Sequence, residues 1–190
     1  MLNQWIFDFA VWVDATRWST LLHESFYLYN WVETTHVLSL TISLGLLFLI
    51  DLKMLGYALP NVSPLQIANR LHWPMLLGFS VMFITGALLF YAIPVRSAQS
   101  VWFRIKLLLL VCAALNAFLF HRALRQSAAG WSEGLPTPRA LRRGAGYSLL
   151  LWTLVVICGR LIAYDWFDCV KEPHPLLAAF AGCVAGQEVF

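Results

Sequence analysis

In a chain this apolar the ionisable side chains stand out first. Each one placed in hydrocarbon costs on the order of 2.5–3.5 kcal/mol on insertion scales, so its presence asks for a reason. Three of them share a level, with a fourth one helical turn away. His36 sits about five residues into the first long apolar run, Lys106 about four into the third, and Arg160 about five from the end of the fourth. At about 1.5 Å per residue all three lie roughly 6–8 Å beneath the same bilayer face. Glu33 precedes His36 by one helical turn, on the same helix face. An imidazole, an ammonium, a guanidinium and a carboxylate at one depth could hold a haem through an axial nitrogen and its propionates. They could equally hold a quinone through its carbonyl oxygens. The alternative is a purely structural network, with Glu33 paired to Arg160 or Lys106 and His36 a satisfied buried donor. Lys106 and Arg160 are also long enough to snorkel to the headgroups.

A second polar layer lies at the opposite edge: Asp51, Arg70, His72, His121 and Arg122. His72 and His121 have similar depth on different apolar runs, so facing one another they would supply the two axial ligands of a haem. Histidines solvated at the membrane edge are the competing reading. At the level of His36 no other apolar run offers a His or Met, since Met82 is roughly 9 Å deeper by rise per residue. A haem on His36 would be five-coordinate, or would take a sixth ligand from outside the runs, where His23 and His174 are available.

The elements that must position these groups follow from composition. The 190 residues are 60% hydrophobic and 12% charged, with mean hydropathy +0.70. A soluble domain carries about 25% charged residues, and a spanning helix needs about 20 mostly apolar ones. Four runs qualify, at about 31–51, 74–94, 102–121 and 146–165. Pro74 suits the first turn of the second, Pro94 closes it, and Gly144 and Gly146 precede the fourth. The predicted fold is an all-α integral membrane protein, a four-transmembrane-helix bundle. Residues 1–30 form an external interfacial amphipathic segment, 31–165 the bundle and 166–190 an external tail. Trp5, Phe9 and Trp12 recur at helical spacing, and Trp favours the headgroup region, so the first segment reads as one or two helices on the membrane surface. A cap packed on the bundle is the alternative.

Charge sets the orientation. The 52–73 and 122–145 loops carry seven Lys and Arg against Glu133 alone, whereas the segments on the other side are acid-rich. The positive-inside rule places the loops in the cytoplasm and both termini outside. Asp8, Asp14 and the missing basic start argue against a cleaved signal peptide. Outside, Cys169 and Cys183 are expected to form a disulfide, a metal site with His174 being the alternative. Cys112 and Cys158 read as packing residues within spans. Small residues such as Ser39, Ser43, Gly78 and Gly86 would let helices approach closely, and Asn116 is expected to make an interhelical hydrogen bond. No Walker, nucleophile-elbow, CxxC or HExxH pattern occurs, so hydrolase, NTPase and zinc-enzyme chemistry has no motif here.

The runs ESFYLYNWVETTHVLSLTISLGLLFLIDLKMLG (24–56), MLLGFSVMFITGALLFYAIP (75–94), SVWFRIKLLLLVCAALNAFLF (100–120) and GRLIAYDWFDC (159–169) resemble an uncharacterised bacterial four-span membrane family. More distantly, His36, Gly78 with Gly86, and the Trp102-x-x-x-Lys106 opening are similar to the copper-resistance protein D group and to HemJ-type haem b membrane proteins. The resemblance implies the bacterial inner membrane, an axial role for His36 toward haem iron, and a propionate or substrate role for Lys106.

The expectation is a membrane redox protein that binds b-type haem, quinone or both near the outer face, and passes electrons between the quinone pool and an external partner. His36 would be the ligand, Glu33 its orienter, and Lys106 and Arg160 the anion-holding groups. The alternative is a non-catalytic anchor or accessory subunit, docking a protein partner or a second copy through its external aromatic face. Transport is disfavoured by the apolar stretch between the two layers. Lipid is the expected environment, and nothing in the charge pattern suggests nucleic acid.

Overall fold

A computed structural model describes residues 2–62, 64–128, 137–164, 169 and 174–184. Among these the regular elements are all helices: α1 (Leu2–Asp14), α2 (Arg17–Glu24), α3 (Phe26–Leu55), α4 (Pro64–Ala92), α5 (Pro94–Ala98), α6 (Val101–Ala128), α7 (Arg139–Tyr164) and α8 (Pro175–Ala181). Four of them, α3, α4, α6 and α7, are long and apolar enough to cross a membrane. The exposed large side chains on their flanks are Leu, Ile, Val and Phe, as in Leu38, Ile42, Leu77, Ile84, Leu108 and Leu150. Such faces belong in lipid, so this is a four-span membrane protein.

The helices outrun the apolar segments that announce them. The second run is expected to begin at Pro74, yet α4 begins at Pro64 and carries Pro74 internally. An internal proline removes one backbone hydrogen bond and costs about 3 kcal/mol in water. What offsets it is the preceding stretch: Ile67 is buried and Leu71 packs with it on a core of Ile50, Met54 and Ala145. α4 ends at Ala92, just before Pro94 as expected, and Pro94 opens α5, where its missing N–H is harmless. Gly144 and Gly146 lie within α7, because Leu141, Ala145 and Ser148 form a buried i, i+4, i+7 stripe that carries the helix back to Arg139.

The chain folds as two compact units, and each long helix contributes a segment to both. One unit comprises Met1–Val37, Met82–Leu107 and Val156–Phe190. In it α1 packs on α5 through Ala10, Val95 and Ala98, flanked by Ile6, Phe7 and Val11. The α1–α2 turn is pinned by Thr16, which donates to the Val13 carbonyl (2.7 Å) and accepts from the Tyr91 hydroxyl (2.6 Å), while Ser19 donates to the Tyr91 carbonyl (2.9 Å). Arg104 gathers three further elements. It donates to the Ala98 carbonyl (3.0 Å), to Asn3 Oδ1 (3.2 Å) and to the Phe180 carbonyl (3.1 Å), and Asn3 in turn donates to the Ala179 carbonyl (3.1 Å). The Arg104 guanidinium occupies the space that a side chain at Gly182 would fill, and Gly182 ends α8 at φ +77°, a left-handed cap that suits glycine. A disulfide joins Cys169 to Cys183.

The other unit comprises Leu38–Val81 and Leu108–Val155. Ser43 is fully buried and donates to the Ser39 carbonyl (2.6 Å), and its Oγ lies where a Cβ on Gly78 would stand. Gly144 similarly makes room for the Phe120 ring, and beside it Asn116 donates to the Gly144 carbonyl (3.0 Å), the interhelical bond expected of that amide. Small residues at helix crossings and a side-chain amide between helices are the usual means of association where water drives nothing.

Candidate functional site

The first unit holds His36 on α3. Its Nδ1 lies 3.0 Å from the Met82 carbonyl and 3.1 Å from Thr85 Oγ1, both on α4, and Thr85 donates to the same carbonyl (3.1 Å). A carbonyl only accepts, so Nδ1 carries the proton and donates it, which makes Nε2 the basic nitrogen of the neutral ring. The approach is close because α4 has glycine opposite the ring: a Cβ on Gly86 would stand 3.1 Å from His36 Cε1. Backbone carbonyls that hold one imidazole nitrogen and fix the tautomer are the usual support for a histidine that binds metal through the other.

Lys106 on α6 reaches toward the same region. Its ammonium lies against α7 at Gly159, where a Cβ would be 3.5 Å from Nζ, and it is within electrostatic range of both His36 and Cys158. Lys106 is half-buried and makes no hydrogen bond or ion pair with any described residue. Four helices therefore meet at one imidazole and one ammonium, and glycines on α4 and α7 stand where those two side chains pass.

Arg160 and Glu33 do not join them. Arg160 is exposed and turns along its own helix, donating to the Tyr164 hydroxyl (2.9 Å) with its guanidinium 4.9 Å from that ring's centre. Glu33 is exposed, and its charge acts on Tyr29 together with that of Arg96. Neither Glu33–Arg160 nor Glu33–Lys106 forms an ion pair among the described residues; of the alternative structural network, only the satisfied His36 donor is present. His23 is exposed in the last turn of α2, and His174 is exposed at the start of α8. In the second unit His72 and His121 are both exposed; their ring contacts are with neighbours in sequence, Trp73 and Phe120. Among the described residues no group of three or more His, Cys, Asp or Glu side chains comes together. Asp165, Trp166 and Asp168 lie outside the described residues.

Two structural residues escaped the sequence reading. One is Arg104, whose five N–H donors suit the carbonyl-rich junction of α1, α5 and α8. Thr85, at i+3 from Met82 on the His36-facing side of α4, is the hydroxyl that accompanies the carbonyl on Nδ1.

Among the described residues the fold and the His36–Lys106 region define a helical, four-span membrane protein with one anchored imidazole and one half-buried ammonium that lacks a hydrogen bond or ion pair. The chain belongs to a family of unknown function, DUF6644, whose family model matches residues 24–165, the four long helices and the loops between them. No curated protein matches it. No solved structure does either.

Proposed function

We propose that the protein is a membrane redox subunit whose His36 and Lys106 bind a haem b or the head group of a quinone. The observation that carries this reading is the His36 Nδ1–H donation to the Met82 carbonyl, with Lys106 nearby and without a hydrogen bond or ion pair among the described residues. The donor chemistry fits either group. With Nδ1 held, Nε2 would be the atom that ligates iron or meets a quinone oxygen, and the Lys106 ammonium would bind a haem propionate or the second oxygen. Haem or quinone would supply the electron chemistry. The chain would orient the group on His36, neutralise developing negative charge with Lys106, and keep the site in a low-dielectric setting where that charge acts strongly. The sequence likeness to copper-resistance protein D and HemJ-type proteins favours haem. The reading includes the inner membrane of a bacterium, with both termini outside.

The test is purification of the full chain in mild detergent, followed by a reduced-minus-oxidised spectrum, pyridine haemochrome analysis and solvent extraction of quinone. A Soret band or a stoichiometric quinone that His36→Ala abolishes and Lys106→Met weakens is the expected result. Colourless, quinone-free protein from cells replete in both would overturn it.

A second reading, an accessory subunit without a cofactor, draws on the exposed aromatics of α1 and α2. Trp5, Trp12 and Trp18 are each at least 66% exposed, and large aromatics anchor protein interfaces as well as membrane surfaces. Recovery of a stoichiometric partner with no cofactor would favour it.

A further inference from the structure

The second unit contains a carboxyl group that neither reading uses. Asp51 lies on α3 within the membrane-spanning stretch and is only 3% exposed. Ser148 of α7 hydrogen-bonds to it, and its Oδ2 is buried with no hydrogen-bond partner among the described residues. On its own helix Ile50 precedes it and Met54 follows one turn later, both buried in an apolar core with Ile67 and Ala145. The cations of the surrounding helices are engaged or turned outward. Lys53 of α3 donates to the Leu59 carbonyl (2.6 Å). Arg70 and His72 of α4, His121 and Arg122 of α6, and Arg142, Arg143 and Tyr147 of α7 are exposed.

An ionised carboxylate offers two acceptor oxygens, and burying it without a cation costs far more than burying a neutral hydroxyl. One serine donor at the other oxygen does not repay that cost, since even a buried ion pair needs its remaining lone pairs satisfied. A proton on Oδ2 removes the charge and leaves Oδ1 as the acceptor for Ser148. An acid in such a place within a spanning helix is a default functional site.

We propose that Asp51 is a proton-binding site: it holds a proton on Oδ2 at neutral pH, with Ser148 donating to Oδ1. Release of that proton requires water or a cation to reach Oδ2 through the α3–α7 contact, so occupancy of the site is coupled to the packing of these two segments. The proposal stands apart from the His36–Lys106 reading and survives or fails without it.

Infrared spectroscopy of the full chain in lipid nanodiscs at neutral pH tests it directly. A carboxylic-acid C=O band above the amide region is expected, one that disappears in Asp51→Asn. Because the asparagine variant alone could misfold, Ser148→Ala supplies the second reading: removing the donor to Oδ1 shifts the same band to higher frequency. A hydrophobic carbodiimide, which adds only to protonated carboxyls, should label Asp51 faster than any other Asp or Glu in wild-type protein, the label lost in Asp51→Asn. A wild-type spectrum with no such band, whether the site is an empty carboxylate or one holding a cation, overturns the proposal. So does a band that neither substitution alters.

Discussion

Gly86 faces His36 and Gly159 faces Lys106, but the two glycines leave those side chains different room, and that difference can be tested. A methyl group at Gly86 would meet His36 Cε1 at 3.1 Å, so the ring must shift by a few tenths of an ångström against the carbonyl that holds it. At Gly159 the nearest atom, Lys106 Nζ, is an ordinary 3.5 Å away and belongs to the flexible end of a long chain. Alanine is worth about 1 kcal/mol over glycine inside a helix. Gly159→Ala should therefore raise thermal stability slightly and leave bound cofactor unchanged. Gly86→Ala should leave stability within about 1 kcal/mol of wild type, because strain offsets the helix gain, while lowering the haem or quinone retained on purification. Equal effects of both substitutions on cofactor content would mean that the close contact at Gly86 does not set the position of the imidazole. At this scale the sequence was informative about His36 and Lys106, since residue type and depth alone bring them to one level. It put Arg160 at the same level but not its direction: depth says nothing of where a side chain turns, and Tyr164, one turn away, takes the guanidinium.

Between helices, side-chain polarity does what hydrophobicity does in water. The Asn116 bond to the Gly144 carbonyl joins α6 and α7, and membrane hydrogen bonds of this kind average about 0.6 kcal/mol with a maximum near 1.7. Asn116→Leu should cost about that much in an unfolding titration. Gly144→Ala should cost more than Asn116→Leu: a Cβ there would stand 3.0 Å from Phe120 Cδ2, and the ring must move or the helices part. A stable Gly144→Ala variant would mean that the α6–α7 contact adapts freely. The four spans were legible because apolar length needs no tertiary context. Their ends were not. Pro74 and Gly144 carry local signals for a helix boundary, yet the packing of Ile67, Leu71 and Ala145 on a shared core, with Leu141 buried one turn before Ala145, extends α4 and α7 past them. That burial depends on partners distant in sequence, which periodicity within one segment does not reveal.

At the scale of the whole molecule, two independent features bear on the proposed orientation. The loop segments 52–73 and 122–145 concentrate positive charge, which argues for the cytoplasm. The Cys169–Cys183 disulfide lies in the C-terminal segment after α7, and disulfides persist where the surroundings are oxidising. Both favour an external position for the segment carrying α8. With 14 residues of separation, closing this loop is worth on the order of 3 kcal/mol by the chain-entropy account. Its effect should be concentrated where Arg104 binds the Phe180 carbonyl and α8 ends at Gly182. Replacing both cysteines by serine should lower the melting temperature of the purified protein and speed proteolysis after α7, leaving the spanning helices intact. Topology can be read in the same protein. In a background lacking Cys112 and Cys158, a membrane-impermeant maleimide should label Cys169 and Cys183 in intact cells only after reduction. A cysteine placed at Arg125 should react only after the cells are permeabilised. Labelling at position 125 in intact cells would reverse the orientation, put the disulfide in a reducing compartment, and remove the case for an external electron-transfer partner.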